Sequence, residues 1–133
     1  MGLEGIKIKL ENESLEAQIS LHGAELKSLK QKARGTEYMW KGDPAYWGRT
    51  SPVLFPFVGG VRDKKYRIGD VKYPMGQHGF ARDKDFALAS VTQREAWFVL
   101  EDDEETREVY PFPFRLEIGY RLEDKELLVM WRV

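Results

Sequence analysis

Alternation of apolar and polar side chains recurs along most of this chain, and it limits the chain to folds built from β-strands. Near the N-terminus, Lys7 and Lys9 separate three aliphatic side chains, Ile6, Ile8 and Leu10. After the polar residues 11–14, a second run places four apolar side chains on one face: Leu15, Ala17, Ile19 and Leu21. Two alternating runs that flank a short polar turn predict an antiparallel hairpin.

The same pattern predicts strands through the rest of the chain. Residues 65–68 and 71–73 flank Gly69-Asp70, a pair that supplies the positive φ of a tight hairpin turn. Four more runs have strand patterns, over residues 86–91, 96–100, 116–122 and 127–133. One helix of about two turns is predicted over residues 103–109. Its acidic start suits the positive end of a helix dipole, and Tyr110-Pro111 ends it.

Strands outnumber helices, and the connections between them are short. This combination predicts an all-β fold, either an antiparallel β-sandwich or an open barrel. The length of 133 residues suits one domain, and no repeat or linker divides the sequence. We therefore expect residues 1–133 to form a single β-sandwich domain.

Composition and charge argue against several classes of protein. The net charge of −1, from 21 basic and 22 acidic residues, lacks the basic excess of a nucleic-acid binder. No apolar run approaches the roughly 20 residues that span a bilayer, and residues 1–10 lack the apolar core of a signal peptide. The absence of cysteine excludes disulfides and thiolate metal sites. A soluble, cytoplasmic protein without metal or cofactor is expected.

Residues 47–60 are the least strand-like part of the sequence. They combine aromatic side chains with two prolines and three glycines and contain few charges, which is typical of an irregular loop that shapes a pocket. Arg49 lies in this apolar neighbourhood and needs partners, because burying a guanidinium unpaired costs several kcal/mol. Sugar hydroxyls, a phosphate group or an acidic side chain of the protein would each serve.

His78 is one of only two histidines, and it lies between Gly76 and Gly79, where the backbone can approach a ligand closely. An imidazole can donate or accept a proton near neutral pH, which suits proton transfer to a sugar oxygen. The alternative is a histidine held in its loop by hydrogen bonds, which the spacing alone favours. The other histidine, His22, is interpreted as a structural residue at the end of a strand.

The central segments resemble the aldose 1-epimerase family, in its bacterial mutarotase-like branch. The resemblance rests on residues 48–56 (Gly-Arg-Thr-Ser-Pro-Val-Leu-Phe-Pro) and residues 77–83 (Gln-His-Gly-Phe-Ala-Arg-Asp). Three flanking segments agree in the expected order: residues 21–29, residues 37–40, which resemble the strand before the pocket, and residues 110–114. This resemblance covers nearly the whole chain.

The resemblance implies the N-terminal part of a large antiparallel β-supersandwich. It implies interconversion of the α and β anomers of an aldose, or of a hexose 6-phosphate, by acid–base ring opening without metal or cofactor. Arg49 and His78 match positions that contact the sugar, with His78 a candidate for proton transfer, and Arg82 matches a position that favours a phosphorylated sugar. The family's second histidine and its basic glutamate have no counterpart in these residues, so this chain alone is expected to be inactive.

The strand pattern of residues 127–133 has no following turn or polar tail, which leaves an apolar edge of the kind that proteins normally cover. We expect this edge to pair with another copy of the chain or with a missing C-terminal half. Two functions therefore stay open beside catalysis: a non-catalytic carbohydrate-binding domain, and a structural domain that self-associates through its edge strand.

Overall fold

A computed structural model describes residues 5–133, and nearly all of its regular secondary structure consists of antiparallel strands. The ten strands of this part of the chain are β1 (Lys7–Glu11), β2 (Leu15–Ser20), β3 (Glu25–Gln31), β4 (Thr36–Glu37), β5 (Lys65–Ile68), β6 (Val71–Pro74), β7 (Ala87–Val91), β8 (Glu95–Glu101), β9 (Arg115–Glu123) and β10 (Glu126–Arg132). One α-helix, α1 (Glu104–Val109), lies between β8 and β9, and short 3₁₀ turns occupy Arg62–Lys64 and Ala81–Asp83.

The strands form two sheets of four and a separate hairpin. The first sheet has the order β1-β2-β3-β4 and the second β10-β9-β8-β7, while β5 pairs only with β6. In the first hairpin Leu10 lies opposite Ala17, and both side chains are buried. The antiparallel hairpins predicted from alternation are therefore confirmed.

The two sheets share one hydrophobic core, as in a β-sandwich. The cluster takes buried side chains from both sheets, including Leu10, Leu15, Ala17 and Ile19 from the first and Ala96, Phe98, Leu116, Ile118 and Leu122 from the second. Burying each of the larger side chains contributes about 1.5–3 kcal/mol relative to leaving it in water. The expected all-β antiparallel fold is confirmed. Because apolar and polar side chains alternate along the strands, each four-stranded sheet has one buried face.

Helix α1 begins and ends where the sequence predicts. Asp103 is the N-cap, and its carboxylate accepts a hydrogen bond from the Thr106 backbone N–H at 2.7 Å. The Thr106 hydroxyl accepts from the Asp103 backbone N–H at 2.9 Å, which completes a capping box. The acidic run therefore starts a helix. No helix in residues 5–133 has the length and apolar character needed to cross a membrane.

The segment that resembles the strand before the pocket is shorter than predicted. Only Thr36 and Glu37 form strand pairs with β3, so the expectation of a strand over residues 37–40 is wrong for Tyr38, Met39 and Trp40. The Glu37 carboxylate accepts hydrogen bonds from the backbone N–H groups of both Leu29 and Met39, and this satisfies Met39 without a strand partner. The ladder ends there, and residues 38–61 form an irregular segment, which contains the irregular loop predicted over residues 47–60.

Strand β10 lies at the edge of the second sheet. Its residues Leu127, Val129 and Trp131 pair with the buried residues of β9 and therefore face the same side as the core. Val129 and Trp131 nevertheless remain 50% and 49% exposed. The predicted apolar edge is present in the described part of the chain.

Candidate functional site

Three segments that are distant in sequence meet at one end of the sandwich: the β2–β3 turn, residues 48–60 and residues 76–85. Phe55 forms an isolated bridge to Gly79, and its carbonyl accepts from the backbone N–H groups of Phe80 and Ala81. At Gly23 a methyl group would lie 2.7 Å from the Arg82 carbonyl oxygen. Only a residue without a side chain allows the turn to approach Arg82 this closely.

Arg49 projects from the irregular segment and forms an ion pair. Its Nη2 lies 2.7 Å from Asp83 Oδ1, and its Nη1 donates to the Arg82 carbonyl oxygen at 3.4 Å. The acidic partner considered from the sequence is therefore present. These contacts use two of the five N–H groups of the guanidinium, and the side chain remains 31% exposed. In the described structure the other donors are available to a ligand.

An open depression lies beside Arg49. Its volume is about 420 Å³, within the range of ligand sites in proteins. The lining residues are mostly polar or charged: Ser20, His22, Glu25, Lys27, Gly48, Arg49 and Asp83. Such a wall, with acidic, basic and hydroxyl groups side by side, suits a ligand that is rich in hydrogen-bonding oxygens.

Glu25 supports the floor of this depression from the core side. It is only 3% exposed, and its Oε2 accepts from the backbone N–H groups of Thr50 at 2.7 Å and Ser51 at 3.0 Å. Lys27 Nζ lies 3.3 Å from the same oxygen, which offsets part of the cost of burying the charge. Glu25 therefore fixes the backbone that follows Arg49, a role that the sequence does not predict.

Tyr120 anchors the β2–β3 turn to the second sheet. Its buried hydroxyl donates to the Ala24 carbonyl oxygen at 2.7 Å. Burial raises the pKa of Tyr120 above its usual range, and the nearby negative charge of Glu25 adds to this effect. The hydroxyl therefore keeps its proton and stays a donor at physiological pH, holding Ala24 beside Glu25.

His22 lines the depression, although the sequence suggests only a structural role for it. Its Nδ1 lies 2.9 Å from Asp85 Oδ1, and His22 and Asp85 also form an isolated bridge. Because a carboxylate only accepts, Nδ1 is the protonated nitrogen in this pair. The pairing supports the structural interpretation, but the position beside Arg49 gives His22 access to the same depression. The signal available from sequence is its place in the segment 21–29.

His78 and Arg82 lie on the third segment. His78 Nδ1 accepts from the Gly59 backbone N–H at 2.8 Å, and Arg82 Nη2 donates to the Gln77 carbonyl oxygen at 3.1 Å. The Arg82 backbone contacts Arg49, whereas His78 does not line the depression beside Arg49. The structure thus links Arg49 and Arg82 directly and places His78 on the same loop, among groups held by hydrogen bonds.

Aromatic side chains surround the start of the irregular segment. Trp40, Tyr46 and Trp47 are 40%, 82% and 50% exposed, so these three do not belong to the core. Trp40 Nε1 donates to the Trp47 carbonyl oxygen at 2.8 Å, which holds the group together. Trp97, by contrast, packs over Gly119 within the second sheet. No group of three or more metal-binding side chains clusters anywhere in residues 5–133.

Comparison with known proteins places this arrangement in a family. The sequence model of the aldose 1-epimerase family matches residues 7–133. Chromosomal protein LacX of Lactococcus lactis subsp. lactis is 34% identical over 131 residues, and the alignment covers 95% of this chain and 44% of LacX.

Solved structures agree with this match. A galactose mutarotase related enzyme from Lactobacillus acidophilus superposes with a TM-score of 0.91 at 42% identity, over 92% of this chain and 41% of that protein. A galactose mutarotase-like protein from Lactobacillus casei superposes with a TM-score of 0.92 at 40% identity, over 95% of this chain and 43% of that protein. The chain therefore spans less than half the length of these relatives, and it belongs to the aldose 1-epimerase family.

Proposed function

We propose that this chain supplies part of the sugar site of a mutarotase, which interconverts the α and β anomers of an aldose or a hexose 6-phosphate. The observation that carries the proposal is the polar depression beside Arg49, built from the segments that resemble the family. The guanidinium has unused donors there, and planar N–H pairs suit adjacent oxygens of a sugar or a phosphate. Both four-stranded sheets contribute to one core, which supports treating the chain as one domain.

The proposed reaction needs two proton transfers and no redox step. A base removes the proton of the C1 hydroxyl while an acid protonates the ring oxygen, so that the C1–ring oxygen bond breaks and an aldehyde forms. Rotation about the C1–C2 bond and closure of the ring give the other anomer and return both protons. Each transfer by a well-placed group contributes on the order of 10²–10⁴ in rate.

The proposed role of Arg49 follows from its unused N–H groups, and the proposed roles of His78 and Arg82 follow from the family resemblance. Arg49 holds sugar oxygens through its unused N–H groups, His78 contacts the sugar, and Arg82 favours a phosphorylated substrate. Neither a second family histidine nor the basic glutamate is matched in the 133 residues. We therefore propose that the chain binds sugar but does not accelerate mutarotation alone.

Polarimetry of α-D-glucose and α-D-galactose tests this proposal. We expect no acceleration by the 133-residue chain, and acceleration once it is extended to the length of its relatives. In the extended protein, Arg49→Ala and His78→Ala should each lower kcat/KM by roughly tenfold or more, because each removes hydrogen bonds to the substrate. Arg67→Ala, on the exposed hairpin, is the control and should leave the rate unchanged. Unchanged rates in both site variants would remove Arg49 and His78 from the site.

A second proposal concerns the open edge of the second sheet. Val129 and Trp131 face the core side of β10 yet are half exposed, which supports pairing with a further strand from another copy or from a C-terminal half. Light scattering at micromolar concentration should therefore show a dimer or a larger species. Val129→Lys should shift it to monomer, because an inward-pointing charge blocks an edge. Val91→Lys, on the opposite edge, should leave the mass unchanged. A monomeric unsubstituted chain would contradict self-association.

A further inference from the structure

Two hydrogen bonds join the same pair of residues, Gly59 and His78. The His78 backbone N–H donates to the Gly59 carbonyl oxygen at 2.8 Å. In the opposite direction, the Gly59 backbone N–H donates to Nδ1 of the His78 imidazole at 2.8 Å. Together they close the base of the excursion over residues 60–77, which carries the β5–β6 hairpin. The His78 side chain is thus part of the loop's own hydrogen bonding.

The second bond determines where the imidazole carries its proton. A backbone N–H can only donate, so Nδ1 must present its lone pair to Gly59. A neutral imidazole has a single N–H, which then resides on Nε2. Turning the ring over would place a ring carbon opposite Gly59, and the Gly59 backbone N–H would then have no acceptor. The contact with Gly59 therefore selects one tautomer and one ring orientation.

The remaining nitrogen of His78, Nε2, is not fully buried. Within residues 5–133, Nε2 has no hydrogen-bond partner, and it is not among the buried polar atoms that lack one. It therefore reaches solvent as an N–H group. His78 also has φ of 64°, in the left-handed region where glycine is at ease and most residues are strained. An N–H group that is fixed in one tautomer and reaches solvent can donate a hydrogen bond to a ligand oxygen.

We propose that the Gly59 amide locks His78 as the Nε2–H tautomer, so that His78 donates a hydrogen bond to a ligand oxygen and does not act as a proton acceptor. Gly59 is then a positioning residue that acts through His78. A general base needs a free lone pair. In His78 the lone pair of Nδ1 accepts from Gly59, and Nε2 carries the proton. The ligand part of this inference rests on the proposed sugar function, whereas the tautomer does not.

NMR of the full chain labelled with ¹⁵N-histidine tests the tautomer directly. Two-bond correlations distinguish protonated from unprotonated ring nitrogens, and a pH of about 8 keeps ordinary imidazoles neutral. We expect the proton of His78 on Nε2. His22 is an internal reference of the opposite kind, because its Nδ1 faces the Asp85 carboxylate. The signals are assigned from His78→Asn. Protonated Nδ1 in His78, or an equal mixture of tautomers, would overturn the proposal.

Two substitutions separate the lock from the donor. In His78→Asn the amide oxygen can replace Nδ1 as the acceptor, and asparagine tolerates a positive φ, but the Nε2–H donor is lost. Hydrogen exchange at the Gly59 amide should stay near the unsubstituted rate in His78→Asn and rise roughly fivefold in His78→Ala. Equal exchange rates in all three proteins would show that His78 does not hold Gly59.

Titration with D-galactose and with D-glucose 6-phosphate tests the donor. Both variants should bind the preferred sugar about tenfold more weakly, because both lack the Nε2–H group. Full affinity in His78→Asn would overturn the donor role and leave the proposed sugar function standing. No binding of either sugar by the unsubstituted chain would overturn the proposed function and the donor role together, while the tautomer is decided by NMR.

Discussion

Replacing Gly79 with alanine should lower the free energy of unfolding by roughly 3 kcal/mol, from backbone strain and overlap combined. Gly79 has φ of 75°, and a methyl group there would lie well under 3.0 Å from the Phe55 carbonyl. That carbonyl cannot retreat freely, because the backbone N–H groups of Phe80 and Ala81 both donate to it. Urea denaturation followed by tryptophan fluorescence and far-UV circular dichroism measures the loss as a fall in the midpoint.

The matched control is Gly69→Ala, in the turn between β5 and β6. Gly69 has a similar φ of 59°, but nothing lies within 4 Å of the position that a methyl group would take. This variant should therefore lose only the cost of a left-handed alanine, about 1–2 kcal/mol. Equal losses in the two variants would show that the contact between Phe55 and Gly79 does not constrain the fold.

The contact at Gly79 also explains how the site is assembled. The Phe55–Gly79 bridge fixes residues 48–60 against residues 76–85, and Gly23 does the same for the β2–β3 turn against Arg82. These two contacts hold the segments that carry Arg49 and Asp83 next to each other, and the two side chains form their ion pair there. Gly23 and Gly79 therefore act by allowing two backbone segments to approach closely. The sequence shows that these glycines are present but does not show which segments they bring together.

The sheets were predictable because alternation reports directly on which side of a strand is buried. In β9 the four apolar side chains that the sequence sets apart, Leu116, Ile118, Tyr120 and Leu122, are all buried. The failure at residues 38–40 has a physical reason, since aromatic side chains suit strands but the Glu37 carboxylate provides local hydrogen bonds that compete with pairing. Which sheet each strand joins depends on contacts that no local pattern contains.

The site was predictable only in part. The sequence predicts that Arg49 needs a partner, because it is a charge in an apolar segment. That partner, Asp83, belongs to the second segment that resembles the family, residues 77–83. The sequence does not predict the site roles of Glu25 and His22. Both roles depend on residues 48–51, distant in sequence, lying against the β2–β3 turn and the start of β3. A residue whose function is to hold distant backbone has no signature in its own neighbourhood.

Replacing Glu25 with alanine should lower the free energy of unfolding by about 3 kcal/mol, because it removes a buried carboxylate and leaves two part-buried N–H groups, those of Thr50 and Ser51, without an acceptor. It also leaves Lys27 without its partner. Glu25→Gln should cost only about 1 kcal/mol, since an amide oxygen can still accept both bonds and only the charge is lost. Denaturation midpoints measure both values, and the alanine variant should also bind sugar less tightly as residues 49–51 loosen.

Glu37→Ala is the control that isolates the effect of burial. The Glu37 carboxylate also accepts from two backbone N–H groups, of Leu29 and Met39, but these hydrogen bonds are exposed. Water can replace the lost acceptor there, so the expected cost is below about 1 kcal/mol. If Glu37→Ala and Glu25→Ala destabilise equally, burial of the acceptor is not what holds residues 50–51. A larger loss at Glu25 alone would mean that the floor of the depression depends on a carboxylate inside the sandwich, and that the orientation of Arg49 is set from the core.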